Sequence, residues 1–174
     1  MDLLMASDTT AITMEALATA AGVSKQTIYR WWPNKASVVA EALSERARAR
    51  VPTVDTGSVL GDMTAFLQAT FKAANSRPVA RALRTLLAEA QTDSGAAEIL
   101  HTYTDERRQA LAALLQRGQQ RGELGEDIDL PLIIDQAFGF VWYRLAVRHA
   151  TLDRSAAIAL SENLLPGTHS SSQT

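Results

Sequence analysis

The chain has 174 residues, of which 47% are hydrophobic and 21% charged, and its formal net charge is −2 at pH 7. This length allows one large domain or two small ones with a substantial core, and the composition is ordinary for a globular protein. The chain has no cysteine, which excludes disulfides and thiolate metal sites and is compatible with a reducing cytoplasm.

Neither a membrane span nor a signal peptide is predicted. In the apolar C-terminal region the longest uncharged stretch is Gln136 to Tyr143, whereas a transmembrane helix needs about 20 predominantly apolar residues. Met1 is followed by the acidic Asp2 rather than by the basic segment that begins a signal peptide. We therefore expect a cytoplasmic protein with no membrane partner.

The small net charge hides a difference between the two parts of the chain. Residues 1–52 carry six Lys/Arg and five Asp/Glu, a net of +1, whereas residues 53–174 carry eleven and fourteen, a net of −3. From Ser24 to Lys35 there are three basic residues and no acidic one. Binding to nucleic-acid phosphates requires only such a local basic surface, although these charges alone could equally form a solvated face.

The first strongly patterned stretch runs from Thr13 to Lys35 and is typical of a helix-turn-helix. Thr13 is a suitable N-cap because its hydroxyl can accept a hydrogen bond from a free backbone N–H. Gly22 supplies the turn, since glycine takes positive φ without steric cost, and Ser24 is a second N-cap. The spacing i, i+3, i+4, i+7 predicts one buried face on the first helix: Met14, Leu17, Ala18 and Ala21.

The apolar pattern restarts at Lys25, with Ile28 and Trp32 one turn apart on the buried side. At about 100° per residue, the polar residues of this helix point away from that side. A short helix that carries donors, acceptors and an aromatic ring has the size and polarity to enter a major groove. An ordinary helical hairpin is the alternative interpretation.

The segment VSKQTIYRWWPNK at residues 23–35 resembles the recognition helix of TetR-family transcriptional regulators in its tyrosine, its aromatic pair and its final lysine. The resemblance implies an all-α fold with a helix-turn-helix DNA-binding domain at residues 1–50. A helical-bundle ligand-binding and dimerisation domain would follow at residues 51–167, and a disordered tail at 168–174. The implied function is that of a homodimeric one-component repressor, not an enzyme, which binds a palindromic operator and is released by a small-molecule effector.

Roles for individual residues follow partly from chemistry and partly from the resemblance. Gln26 is suited to a bidentate contact with adenine, and Thr27 to a thymine methyl group or a phosphate. Arg30 would reach either a phosphate or solvent, and Trp32 matches the family's buried aromatic residue. The complete set of predicted DNA-contacting residues is Thr13, Ser24, Lys25, Gln26, Thr27, Tyr29, Arg30, Trp31 and Lys35.

The beginning of the chain departs from the family pattern. In TetR-like proteins a full helix, often preceded by a basic arm, packs beneath the helix-turn-helix. Here only the last turns of such a helix are expected, ending at Ala6 before the loop Ser7-Asp8-Thr9. A shortened or late-starting sequence and a genuine loss of the helix are both open, and a regulator-like protein that has lost DNA binding is therefore an alternative function.

Pro33 and Asn34 separate the recognition helix from a predicted helix at Lys35 to about Arg50, and Val51 to Ser58 form a linker. Three amphipathic helices are then predicted, with a turn at Thr92 to Gly95 before the third. Their apolar stripes are Leu60, Met63, Leu67, Phe71 and Ala74 in the first, Val79, Leu83, Leu86, Leu87 and Ala90 in the second, and Leu100, Tyr103, Leu111, Leu114, Leu115 and Gly118 in the third.

The helix predicted from about Leu130 to His149 is apolar almost all the way round. Such a helix must be buried on every side, which one core and one second subunit would achieve together. The last predicted helix, Arg154 to Leu165, is rich in small residues that allow close helix–helix approach. In the TetR family the last two long helices usually form the dimer, so we expect a homodimer through residues 130–149 and 154–165.

The resemblance also implies a ligand pocket among the helices that start near Val59, Ala96 and Leu130, although a plain hydrophobic core is an equal interpretation. Arg107 or Arg108 could hold an acidic ligand there. Alternatively, both could reach solvent or pair with Asp105 or with a carboxylate on another helix. The predicted ligand-binding residues are Phe66, Leu67, Tyr103, Arg107, Phe138 and Trp142, with no identified effector and no cofactor.

A helical-bundle metalloenzyme is the competing hypothesis, because Glu98 and His101 form the Glu-x-x-His half of a di-iron site. A complete site needs a second such pair, but His149 and His169 are preceded at i−3 by Ala146 and Pro166. No metal site is therefore expected.

Overall fold

A computed structural model describes residues 13–32, 37–38 and 55–166. Within these ranges the protein is all-α, as predicted, with seven helices and no strand. The helices are α1 Met14–Ala21, α2 Lys25–Trp31, α3 Val59–Ala74, α4 Arg77–Glu89, α5 Ser94–Gln120, α6 Leu130–Val147 and α7 Arg154–Leu164. The incomplete first helix, Lys35 and the tail lie outside the described residues, as does the predicted helix 35–50 except for residues 37–38, which are helical.

The chain divides into two compact units. One comprises Met1–Arg48 with Ser76–Asp105, and the other comprises Ala49–Asn75 with Glu106–Thr174. The long helix α5 therefore contributes its first part to one unit and its second part to the other. The predicted domain boundary at residue 50 stays a prediction.

In the first unit, α1 and α2 enclose a small core of Met14, Leu17, Ala18 and Ile28. Farther along the chain, Leu86 of α4 and Ala96 of α5 are each only 1% exposed and share a cluster. The carboxylate of Asp93 accepts a hydrogen bond from the Ala96 N–H at 2.6 Å. Because Asp93 serves in this way as an N-cap, α5 begins at Ser94, inside the predicted turn Thr92 to Gly95.

The second unit has a continuous core formed by α3, α6, α7 and the second part of α5. Small residues let α7 pack closely, since Ala157 and Ser161 are both completely buried. The Ser161 hydroxyl donates to the Ala157 carbonyl oxygen at 2.9 Å, which satisfies the buried donor. Gly118 allows a second close approach, because a Cβ at that position would lie 2.5 Å from Val59 Cγ2.

Helix α6 has a buried face and an exposed apolar face. Ile133, Ile134, Ala137, Val141 and Leu145 are buried, whereas Leu132, Tyr143 and Val147 are 52%, 59% and 54% exposed. Among the described residues it is the one helix long and apolar enough to cross a membrane by length and composition, with a mean hydropathy of 1.2. Helix α6 is therefore only partly buried within this chain, and it leaves apolar side chains exposed.

Candidate nucleic-acid interface

The turn between α1 and α2 has the geometry that the sequence predicts. Gly22 adopts φ 67°, in the left-handed region that favours glycine. The Val23 N–H donates to the Ala18 carbonyl oxygen at 3.0 Å, which closes the end of α1. The Thr13 hydroxyl accepts from the Ala16 N–H at 3.1 Å and the Ser24 hydroxyl from the Thr27 N–H at 3.1 Å, so both helices have side-chain N-caps.

The buried side of α2 is narrow. Ile28 is 4% exposed and packs against Met14 and Leu17 of α1. Trp32 and Val38 are partly buried against the same cluster, so Trp32 contributes to the core as predicted. Ala21, which the spacing placed on the inner face, is exposed, because it is the last residue of α1 and lies at the end of the packed stripe.

The opposite side of α2 forms a continuous exposed surface, which we call the recognition face. Trp31 is 71% exposed and Tyr29 is 41% exposed, a notable exposure for large aromatic side chains. The Ser24 and Thr27 hydroxyl oxygens lie 2.8 Å apart and share a hydrogen bond. The exposed residues of this face are Lys25, Gln26, Thr27, Tyr29, Arg30 and Trp31.

One acidic residue, which sequence reasoning did not single out, lies beside this face. Glu15, in the first turn of α1, forms an ion pair with Lys25 Nζ. The hydrogen bond from Lys25 lowers the pKa of Glu15, and the same bond raises the pKa of Lys25. The Lys25 ammonium also lies 5.9 Å from the centroid of the Tyr29 ring. Ten positions separate Glu15 from Lys25, so only the fold brings the two charges together.

Some of the predicted ligand-binding residues are in contact with one another. The Phe66 and Phe138 rings pack edge to face, with centroids 6.4 Å apart, and the Arg107 guanidinium lies 4.7 Å from the Phe66 centroid. Arg107 is only 8% exposed and donates to the Thr70 hydroxyl oxygen at 2.8 Å. Thr70 was not identified from the sequence, because a lone threonine on α3 carries no distinctive pattern.

The other members of the predicted set are more scattered. Leu67 is 1% exposed in the core of the second unit, while Tyr103 and Trp142 are half-buried on α5 and α6. Arg108 pairs with Asp135 of α6, which is the pairing with a carboxylate on another helix that the sequence left open. A shared pocket for these residues stays a prediction.

Comparison with known proteins identifies the family. Residues 1–42 match the model of the bacterial regulatory proteins of the tetR family, and residues 53–164 match the tetracyclin repressor-like C-terminal domain. The chain belongs to the TetR family of transcriptional regulators. It is 33% identical over 174 residues, 99% of this chain and 87% of the relative, to YdeS, an uncharacterized HTH-type transcriptional regulator of Bacillus subtilis strain 168.

Two further proteins support this assignment. A DNA-binding transcriptional repressor TetR of Mycobacteroides abscessus is 30% identical over 135 residues, which cover 77% of this chain and 71% of that protein. The crystal structure of the TetR family transcription regulator SCO0332 superposes with a TM-score of 0.86 at 33% identity, covering 95% of this chain and 92% of the other. The helix-turn-helix at Thr13 to Trp32 therefore belongs to a DNA-binding regulator.

Family membership also decides between this function and the competing metalloenzyme. TetR-type proteins are transcriptional regulators rather than enzymes. Glu98 and His101 are exposed on α5. Within the described ranges, no three His, Cys, Asp or Glu side chains converge in a way that could hold a metal ion.

Proposed function

We propose that this TetR-family regulator is a cytoplasmic homodimeric repressor that binds a palindromic operator through the recognition face and dissociates when a small molecule binds. The observation that carries the proposal is the exposed, polar and basic recognition face above the buried Ile28. Direct base contacts come from Lys25, Gln26 and Thr27 at the N-terminal end of α2, as in helix-turn-helix proteins generally.

Phosphate contacts then fix the register of the protein on the duplex. Tyr29, Arg30 and Trp31 supply them from α2, and Lys35, which lies outside the described residues, supplies another. Thr13 and Ser24 stand at the N-termini of α1 and α2, where the helix dipole favours negative charge. Repression is the direction of regulation that the M. abscessus relative, itself named a repressor, supports.

The second subunit binds the exposed apolar face of α6. Leu132, Tyr143 and Val147 expose large apolar side chains on this face, and Gly139 is exposed between them. Contiguous apolar surface of this kind is typical of a protein interface. A symmetric dimer would also place two recognition faces on one duplex, with half-sites about one helical turn, roughly 34–36 Å, or a multiple of it apart.

The effector that we propose has an apolar body and an acidic group. The Phe66–Phe138 pair offers aromatic surface, and the buried Arg107 guanidinium beside it suits a carboxylate or phosphate. Release of DNA requires that the effector favour the protomer arrangement with lower operator affinity. Thermal denaturation with amphipathic carboxylates and matching alcohols tests this class, with stabilisation expected from the acids alone.

Selection from a random-sequence DNA library with purified protein, followed by sequencing, tests the proposed function as a whole. The expected result is enrichment of an inverted repeat whose gel shift has the stoichiometry of a dimer. Enrichment of no sequence would instead favour a regulator-like protein that has lost DNA binding. An enriched site without inverted symmetry would contradict the homodimeric arrangement while leaving DNA binding in place.

A further inference from the structure

The first residue of the recognition helix is held by a carboxylate. Glu15 and Lys25 form an ion pair whose side chains remain 54% and 60% exposed. The ammonium of this pair lies 5.9 Å from the Tyr29 ring centroid. The pair therefore lies at the surface that carries the proposed DNA contacts, and it places a negative charge beside them.

This position matters because non-specific binding to DNA is almost entirely electrostatic. A lysine contributes to it when its charge displaces a condensed cation from a phosphate. An ammonium that is already paired with a carboxylate must leave that carboxylate before it can do so. The exposed carboxylate would then face the phosphates and repel them. Whether the ion pair stays intact or opens, Lys25 therefore makes no net contribution to non-specific binding.

We propose that Glu15 and Lys25 act on DNA as one net-neutral unit, which makes Glu15 a specificity-determining residue. Glu15 lowers the affinity for non-specific DNA. It also holds the Lys25 ammonium beside Tyr29, where Lys25 acts as a hydrogen-bond donor and not as the charge that neutralises a phosphate. Because operator recognition also depends on base contacts, the ratio of operator to non-specific affinity rises. The inference rests on the proposed role of the recognition face in binding DNA.

Glu15→Gln tests it in the full-length protein, with a random-sequence duplex as the probe and fluorescence anisotropy as the readout. The variant gains one net positive charge at the recognition face. The slope of log affinity against log salt should therefore steepen by about 0.9, the value for one additional neutralised phosphate. When the salt concentration rises from about 50 to 200 mM, the affinity of the variant should therefore fall by a factor about 3.5 times larger than that of the wild type.

Three variants complete the design. Glu126→Gln makes the same change of charge in the exposed loop after α5 and should leave the slope unchanged. Lys25→Gln alone leaves the Glu15 carboxylate unpaired at the recognition face, so its affinity for the random-sequence duplex should fall below that of the wild type. The double variant Glu15→Gln, Lys25→Gln should return the slope to that of the wild type. Circular dichroism melts establish that each variant folds.

The results that would overturn the inference can be told apart from one another. An unchanged slope for Glu15→Gln with normal duplex binding overturns the inference and leaves the proposed function intact. Equal steepening in Glu126→Gln would mean that total charge, rather than the position of Glu15, governs binding. A slope for the double variant that is shallower than that of the wild type would make Lys25 an ordinary phosphate contact. If neither the wild type nor any variant binds duplex DNA at low salt, the proposed function fails as well.

Discussion

Asp62 on α3 accepts a hydrogen bond of 2.9 Å from Arg117 on α5, and the Asp62 side chain is completely buried. Arg121 Nη2 lies 3.1 Å from the same carboxylate oxygen, Oδ2. The other oxygen accepts from the Thr56 N–H at 2.6 Å and from the Thr56 hydroxyl at 2.8 Å. The carboxylate thus joins the segment before α3 to the end of α5, with its lone pairs used by four donors.

Asp62→Asn is expected to lower the free energy of unfolding by about 3 kcal/mol, because removal of one partner from a buried ion pair leaves the others uncompensated. Urea denaturation followed by circular dichroism measures the change. Asp135→Asn is the matched control: its ion pair with Arg108 is exposed, so the loss should stay below about 1 kcal/mol. Equal losses in the two variants would contradict a special role for the buried carboxylate.

The same carboxylate should make stability depend on pH in the acid range. Burial acts to raise the pKa of Asp62, but hydrogen bonds from Thr56, Arg117 and Arg121 outweigh it and lower the pKa from 3.8 to about 2. A pKa that is lower in the folded state stabilises the protein above the unfolded value. The contribution, about 2 kcal/mol at neutral pH, is lost as the pH falls from about 4 to 2.

Comparison of the wild type with Asp62→Asn isolates this contribution from those of other carboxylates. The difference in unfolding free energy between the two proteins should be constant above about pH 5 and should shrink as the pH falls through 4 towards 2. Denaturation at a series of pH values measures it. A difference that stays constant down to pH 2 would show that Asp62 does not titrate with a lowered pKa.

The sequence predicts the helices well because their signals are local. The apolar spacing of α1, the positive φ expected at Gly22 and the N-cap at Ser24 each depend on residues within a few positions of one another. Asp62 carries no such signal, because an acidic residue in the first turn of a helix is ordinarily a solvated partner of the helix dipole. Its burial depends on Arg117, 55 positions away, and only the packing of α3 against α5 creates that contact.

The site is predictable to a similar degree. Periodicity alone predicts an exposed Tyr29 and a buried Ile28, since these neighbours lie on different sides of α2. Arg107 and Arg108 are adjacent in the sequence and chemically identical, so no local pattern can decide which one is buried. The difference arises from their neighbours on other helices: Arg107 meets Thr70 and Phe66 of α3, whereas Arg108 meets Asp135 of α6.

Tyr29→Ala is expected to abolish operator binding, measured by gel shift on the selected duplex, without a change in the dimer. Tyr29 is 41% exposed, so its removal should cost little folding stability, within about 0.5 kcal/mol for an exposed position. Gln116→Ala, which truncates an exposed side chain on α5, is the control and should retain operator binding. An unchanged gel shift for Tyr29→Ala would refute the proposed contact.

Substitution of Gly139 tests whether the exposed apolar face of α6 is a subunit interface. It lies in the middle of α6, it is exposed, and a Cβ at this position would meet nothing within 4 Å in its own chain. Glycine inside a helix costs about 0.5–1 kcal/mol relative to alanine, so Gly139→Leu should not destabilise an isolated protomer. At a close contact with a second copy, however, the added side chain would overpack the interface, at a cost of about 1–3 kcal/mol.

We therefore expect Gly139→Leu to raise the dimer dissociation constant about tenfold or more, as measured by sedimentation equilibrium, and to weaken operator binding in proportion. The control, Ala113→Leu, adds a similar apolar side chain at an exposed position of α5 and should leave both quantities unchanged. A dissociation constant that rises equally in both variants would indicate a general effect of added apolar surface. If neither variant changes it, the subunits must associate through a face of the protein other than the exposed stripe of α6.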